Sequence, residues 1–315
     1  MKIKMKEPEV AEKLIHSYSN LLLEHISGKF PLGPRTFGFE YEFLPQAPID
    51  LTMMEQLYDF LPRNGFHWRK DGFRNDFGLG ITFEPGGQIE YSSMPLLQED
   101  TGYFEQALEN IAANNMDIEK ALGIKYVATG YIPGRKDSPL CLDSERYISL
   151  HDRMSFSGTR GREMMKGTAS IHLHVVVRSL KELVPVFLKL SRMSRSNDFK
   201  MGRHRRNIWD NTDPCRCGFP YEGIDTNSSP YDLINELVTV AVYADILGKD
   251  VPFWKAADKS FDKFLYHFTT VFTDIRLNNK GPTFELRTPD SVPGEDFKLL
   301  WKRFIQSLKI NRLSN

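Results

Sequence analysis

The sequence has no apolar run long enough to cross a membrane as a helix. It has no excess charge of either sign, because 41 Lys and Arg balance 41 Asp and Glu. The global basicity of a nucleic-acid binder is therefore missing, and neither nucleic acid nor membrane is expected as a partner. Cysteine is scarce. Cys141, Cys215 and Cys217 are too few for a disulfide scaffold, so a reducing, cytoplasmic setting is the expectation. The N-terminal stretch MKIKMKEPEVAEKL carries basic residues without an apolar core after them, and is not expected to be a secretory leader. No P-loop or dinucleotide fingerprint stands in its required context, and no Ser/His/Asp or Cys/His arrangement stands out. Internal repeats, low-complexity tracts and linkers are also lacking. The 315 residues, 26% charged and 41% hydrophobic, have an ordinary globular composition, and a single domain over 1–315 is expected.

What the sequence does contain is carboxylate on apolar strands. Gly38-Phe39-Glu40-Tyr41-Glu42 places Glu40 and Glu42 on one face of a strand and Phe39, Tyr41 and Phe43 on the other. Thr82-Phe83-Glu84-Pro85-Gly86-Gly87-Gln88-Ile89-Glu90-Tyr91 repeats the theme. Its Pro-Gly-Gly turn bends the chain so that Glu84 and Glu90 converge. A lone Glu-x-Glu is also what a solvated sheet face looks like. Acids gathered on one face repel one another unless that face is wet or holds cations. Oxygen-rich clusters suit Mg²⁺ or Mn²⁺, and Mg²⁺ commonly accompanies nucleotide phosphates.

Helical spacing predicts helices over 8–28, 51–62, 98–122, near 144–153, and over 179–195, 230–247, 257–270 and 294–311. Strands are expected at 36–44, 66–70, 79–83, 88–93, 124–131, 168–177 and 283–287, the second to fourth forming an antiparallel meander. His172 and His174 share one face of their strand. In the last strand Glu285 and Arg287 oppose Phe284 and Leu286. The segment 196–229 reads as a long loop, basic at first, whose aromatic residues argue against disorder. Cys215-Arg216-Cys217, with His204 nearby, is half of a zinc pattern at most, and two free thiols are the expectation. The fold class is α+β.

Five segments resemble, in order, the glutamate–cysteine ligase family of the plant and proteobacterial type, a family of carboxylate–amine ligases. They are GFEYE, TFEPGGQIEYSSMPL, GREMMKGTASIHLHV, RRNIWDNTD and HFTTVFTDIRLNNKGPTFELRTPDS, spread over 36–291. The resemblance implies a glutamine-synthetase-like fold, an antiparallel sheet curved into a funnel with helices outside. It implies ATP and Mg²⁺, with Mn²⁺ as an alternative, and small amino-acid and amine substrates. The oligomeric state is left open. The implied product is γ-glutamylcysteine, of glutathione biosynthesis. The alternatives are a same-fold ligase with a different carboxylate and amine, or a nucleotide-binding homologue without turnover. Two departures bear on the substrates, the first being that Lys166-Gly167-Thr168 stands where the family usually has an Arg. The chain is also shorter than plant members and is expected to lack their transit peptide.

Such a ligase lets a carboxylate attack the γ-phosphate of ATP, and an amine then attacks the resulting acyl phosphate. Two anions meet in the first step, so metal ions and cationic side chains must offset their repulsion. The expected metal ligands are Glu40, Glu42, Glu84, Glu90, His172 and Glu285. Arg205 and Arg287 are the expected phosphate contacts, and Glu285 and Arg287 the expected catalytic pair. A lone strand histidine and a run such as Arg203-His204-Arg205-Arg206 also have ordinary explanations, a packed core residue and a solvated loop. Trp209 packs either under its loop or against substrate, and core packing is the commoner fate of a tryptophan.

Overall fold

The apolar spacing at the start of the chain folds as α1 (Glu9–Ser27), which buries Ala11, Ile15, Tyr18, Leu22 and Ile26 along one stripe. The computed structural model describes residues 9–308 apart from 71, 157–159, 220, 222 and 250. The ends of the first and last expected helices, at residue 8 and at 309–311, lie outside the described residues.

After α1 come β1 (Phe37–Pro45) and α2 (Leu51–Arg63), the latter opened by Asp50, whose side chain accepts from the Met53 N–H. Four short strands follow, β2 (His67–Arg69), β3 (Gly72–Arg74), β4 (Gly80–Phe83) and β5 (Ile89–Ser92). Each pairs antiparallel with the next, as the expected meander requires, with β3 as a strand the sequence reading lacked. The helix α3 (Thr101–Leu122) closes on Gly123, whose φ of 69° is left-handed backbone that favours glycine. The strand expected over 124–131 shortens to β6 (Tyr126–Val127).

The helix near 144–153 is α4 (Glu145–Phe156), and it is followed by α5 (Gly161–Gly167), which sequence periodicity had not shown. Then come β7 (Ile171–Val176), α6 (Leu180–Ser194) and α7 (Arg203–Asp210). The segment read as a long loop thus holds a helix and the two-residue strand β8 (Cys217–Gly218). The chain continues through α8 (Pro230–Tyr243), a 3₁₀ turn (Phe253–Lys255) and α9 (Phe261–Phe268). It ends with β9 (Phe272–Thr273), β10 (Ile275–Asn278), β11 (Thr283–Leu286) and α10 (Gly294–Ser307).

The class is α+β, with one large antiparallel sheet. Its strand order is β10-β11-β7-β1-β5-β4-β3-β2, with β6 added beside β1. A separate parallel pair joins β8 to β9. One face of the sheet is apolar. Phe39 packs edge-on against Phe104 of α3 and against Phe297 and Trp301 of α10, with ring centroids 5.6, 5.4 and 5.9 Å away. Phe284 meets Phe187 of α6 at 5.8 Å. The other face carries the acids. Above it lies a smaller core of Leu150, Met154, Met164, Met165, Met201, Ile208 and Trp209, contributed by α4, α5, α7 and Met201 just before α7.

Candidate active site

Register places the acids. Glu42 is paired directly with Glu90 across β1 and β5, and Glu40 lies between Ser92 on one side and His172 on the other. Because strand side chains alternate, the same face receives Thr82, Glu90, Glu42, Glu40, His172 and His174. Glu84 enters from the turn after β4. That turn is held by Gln88, whose Oε1 accepts from the Gly86 N–H at 2.8 Å while its Nε2 donates to the carbonyls of Met165 and Thr168, each at 3.0 Å. The fit needs glycine at two positions. A Cβ on Gly86 would stand 2.6 Å from the Lys166 Cα, and Gly87 has φ of 78°. Gln88 therefore fastens the acid-bearing turn to α5.

Glu40, Glu42, Glu84, Glu90, His172 and Arg287 line one cavity of about 230 Å³. Glu42 Oε2 accepts from the backbone N–H of Ser170 at 2.7 Å and from its hydroxyl at 3.0 Å. His172 Nδ1 lies 2.6 Å from Glu40 Oε2, and its Nε2 lies 2.8 Å from the Ser170 hydroxyl. Thr82 donates to Glu90 Oε1 at 2.8 Å. One ligand atom from each of Glu40, Glu90 and His172 lies within 4.8 Å of the others.

The electrostatics divide these acids into two kinds. Burial alone would push Glu40 up, but His174 and a hydrogen bond from His172 pull it well below the usual range. Burial pushes Glu84 up to about 8, reinforced by Glu42 and opposed by Arg287. Burial also pushes Glu90 well up, reinforced by Glu40, Glu84 and Glu42. His172 is lowered by burial and by Arg287. Burial and mutual repulsion thus oppose the charged forms of both Glu84 and Glu90. That is the condition a bound divalent cation would relieve, and an acid-plus-imidazole donor set fits Mg²⁺ or Mn²⁺.

Two sequence-predicted residues stand elsewhere. Glu285 is fully buried, with Oε2 held by Arg276 Nε at 2.7 Å and Arg287 Nη1 at 3.1 Å, and Oε1 by Asn278 at 3.2 Å. It does not line the cavity, and its carboxylate is committed to cations already. Burial opposes its charge, but Arg276 and His174 outweigh it and hold its pKa low. Arg205 is 1% exposed, and its guanidinium donates to the carbonyls of Arg287, Thr288 and Pro289 and to Asp290 Oδ1. Its donors face the chain that follows β11, not the cavity.

Trp209 lines the cavity, with its Nε1 donating to the Phe272 carbonyl at 3.2 Å. Lys166 does not line it, because its ammonium turns away to the Ser138 carbonyl at 2.6 Å. All three cysteines are free thiols, and among the described residues no cluster of three ligand groups includes Cys215 or Cys217.

Sequence reasoning missed two arginines. Arg276 of β10 lines the cavity beside Arg287, and the alternation Ile275-Arg276-Leu277-Asn278 would have revealed it. Arg146 of α4 carried no sequence signal. It lines the acid cavity and also a neighbouring one of about 800 Å³. The Nε atoms of Arg146 and Arg287 are both buried without a hydrogen-bond partner among the described residues. Unspent, buried donors beside an acid cluster suit an anion that arrives together with its metal.

No described helix is long and apolar enough to cross a membrane. The profile of glutamate–cysteine ligase family 2 matches residues 36–195, just over half of the chain. The chloroplastic glutamate–cysteine ligase of Nicotiana tabacum is 24% identical over a 307-residue alignment covering 84% of this chain and 56% of the relative. That of Arabidopsis thaliana is 24% identical, covering 82% and 55%. Glutamate–cysteine ligase A of Oryza sativa subsp. indica is 23% identical, covering 92% and 65%. The chain therefore spans between about half and two thirds of the length of these relatives.

Proposed function

The chain belongs to glutamate–cysteine ligase family 2, and from that membership we propose that it is an ATP-dependent carboxylate–amine ligase acting through an acyl phosphate. Glutamate and cysteine, giving γ-glutamylcysteine, are the first pair to assign, since the relatives are glutamate–cysteine ligases. The observation that carries the reading is one cavity that joins four carboxylates and a histidine to Arg146, Arg276 and Arg287. We read the sheet as a glutamine-synthetase-like funnel and the chain as a single catalytic unit.

Glu40, Glu90 and His172 would hold one Mg²⁺ or Mn²⁺, and Glu42 and Glu84 would share a second. The ions would screen the repulsion between the substrate carboxylate and the γ-phosphate. Arg287 meets the phosphoryl group during transfer, and its unspent Nε supports that role. Glu285 acts on Arg287, fixing its guanidinium from below. The neighbouring cavity of about 800 Å³, joined through Arg146, has the room for the rest of a nucleotide that 230 Å³ does not.

A second reading, a family ligase with another acceptor, is favoured by Lys166, which turns away from the cavity where the family usually has an Arg. Coupled ADP-release assays with Mg·ATP, glutamate and a panel of amines test both readings. ATP binding that is equally tight with and without divalent metal, measured by calorimetry, would count against the metal assignment. Tight Mg·ATP binding with no ADP release under any pairing would leave a nucleotide-binding protein without turnover.

A further inference from the structure

The helix α4 is the wall between the acid cavity and its larger neighbour. Tyr147 and Leu150 line the acid cavity, Glu145 and Ser149 line the space of about 800 Å³, and Arg146 lines both. Helical geometry accounts for the division. At about 100° per residue, Arg146 falls between Glu145 and Ser149 on one side and Tyr147 and Leu150 on the other. Its side chain therefore stands at the passage from one space to the next.

Arg146 differs from the other two arginines of the acid cavity. Arg276 and Arg287 are both tied to Glu285, at 2.7 and 3.1 Å. The Arg146 guanidinium makes no hydrogen bond and no ion pair among the described residues, and its Nε is buried. Glu84 feels its charge from beyond ion-pair distance. The remaining charged groups on the larger wall, Glu145, Asp258, Lys249, Lys255 and Lys263, are exposed and screened by solvent. His267, buried on that wall, is held neutral by its burial. Arg146 is thus the uncommitted, half-buried cation at the passage.

A nucleotide whose adenosine lies in the larger space and whose γ-phosphate reaches the acids must pass Arg146 with the middle of its phosphate chain. We propose that Arg146 is a catalytic residue that holds the β-phosphate and stabilises the charge of the leaving ADP. The proposal rests on the ligase reading above. In the step it serves, an oxygen of the substrate carboxylate forms a bond to the γ-phosphorus. The bond from that phosphorus to the β,γ-bridging oxygen breaks. Its electron pair stays on the bridging oxygen, which becomes a terminal oxygen of the ADP β-phosphate, and no proton moves. Negative charge therefore grows on the β-phosphate during transfer, and a donor fork already in place there lowers the barrier. Arg287 acts on the group transferred and Arg146 on the group that leaves.

ADP and AMP differ by the β-phosphate, so they test the proposal directly. In calorimetry, Arg146→Met should weaken Mg·ADP binding by about tenfold or more and change AMP binding by less than about twofold, as for one lost charge-assisted contact. Arg146→Gln should do the same. Neither should lower the melting temperature, because the guanidinium has no partner to abandon among the described residues. Arg287→Met should leave Mg·ADP affinity within about twofold of the parent. In turnover with Mg·ATP, either Arg146 variant should lower kcat by about a hundredfold, while the KM for glutamate changes by less than about threefold.

Unchanged Mg·ADP affinity in the folded variants would overturn the proposal. A raised glutamate KM beside it would place the substrate carboxylate at Arg146 instead, and the ligase reading would stand. Equal losses of ADP and AMP affinity would move the contact to the α-phosphate and overturn the leaving-group role. Unfolding of both variants would make Arg146 structural and overturn it too. Mg·ADP binding that depends on Arg146 in a protein that releases no ADP with any amine would remove the ligase reading and keep the β-phosphate contact. No binding of Mg·ADP or Mg·ATP by the parent protein would overturn both.

Discussion

Glu42 and Glu90 are direct partners on adjacent antiparallel strands, two acids set opposite each other where a sheet ordinarily avoids like charge. The pairing destabilises the protein unless something positive lies between them. Glu42→Gln and Glu90→Gln are therefore expected to abolish turnover while leaving the fold intact, and either should raise the melting temperature of the metal-free protein. Thermal melts with and without Mg²⁺, beside turnover measurements, check this. Near-normal activity in either variant would remove that residue from the site.

Arg287 is held by Glu285 at 3.1 Å while its Nε stays unspent. Arg287→Lys keeps the charge but loses the planar fork. The expected outcome is a fall in kcat of about a hundredfold or more, as for loss of one preorganised donor at developing charge. The KM for ATP should change much less. A large rise in KM with kcat preserved would show uniform binding instead and defeat the assignment.

Arg205 makes the opposite prediction. The bonds it makes all go to the chain after β11, so Arg205→Met should act on stability, costing about 3 kcal/mol for removing a buried guanidinium that donates to three carbonyls and to the part-exposed Asp290. ATP affinity in the protein that remains folded should stay within about threefold of the parent, a change of well under 1 kcal/mol. Denaturant unfolding and nucleotide titration separate the two effects. Unchanged stability with lost ATP binding would return Arg205 to the phosphate.

His267 supplies a pH dependence away from the acids. Burial, and then Arg216, lower its pKa from 6.5 to about 4, and its Nε2 lies 2.9 Å from the Ala241 carbonyl. The folded state thus holds the ring neutral where the unfolded chain would protonate it. Its contribution is complete above about pH 6.5, the unfolded value, and is lost as pH falls towards 4. A shift of that size corresponds to about 3 kcal/mol at most. Urea midpoints at pH 4.5 and 7 should draw closer together in His267→Gln, and an unaltered difference would assign the acid sensitivity elsewhere.

Much of the site was legible in sequence because strands write their faces with a period of two. Glu40 with Glu42, and His172 with His174, needed only that rule. The convergence of Glu84 and Glu90 followed from the Pro-Gly-Gly turn between them, and both line the cavity. Arg146 was hidden because nothing local in α4 says what lies opposite its first turn. Arg205 misled because sequence gives the proximity of an arginine to a motif but not the direction of its donors. The short helix α5 covers only seven residues, too few for helical periodicity to show.

The central position of β1 between β5 and β7 has a consequence for how the chain must be assembled. The strands that carry the site lie far apart in sequence and none is complete without its neighbours. β7 lacks its outer partner until β11 has been synthesised, more than a hundred residues later. A growing or truncated chain that stops before Thr283 exposes an apolar strand edge and lacks Arg287 beside its acids. Assembly of this pocket should be among the last events of folding and slow by the measure of contact order. Deleting β11 should therefore yield an aggregating chain rather than a weakened enzyme.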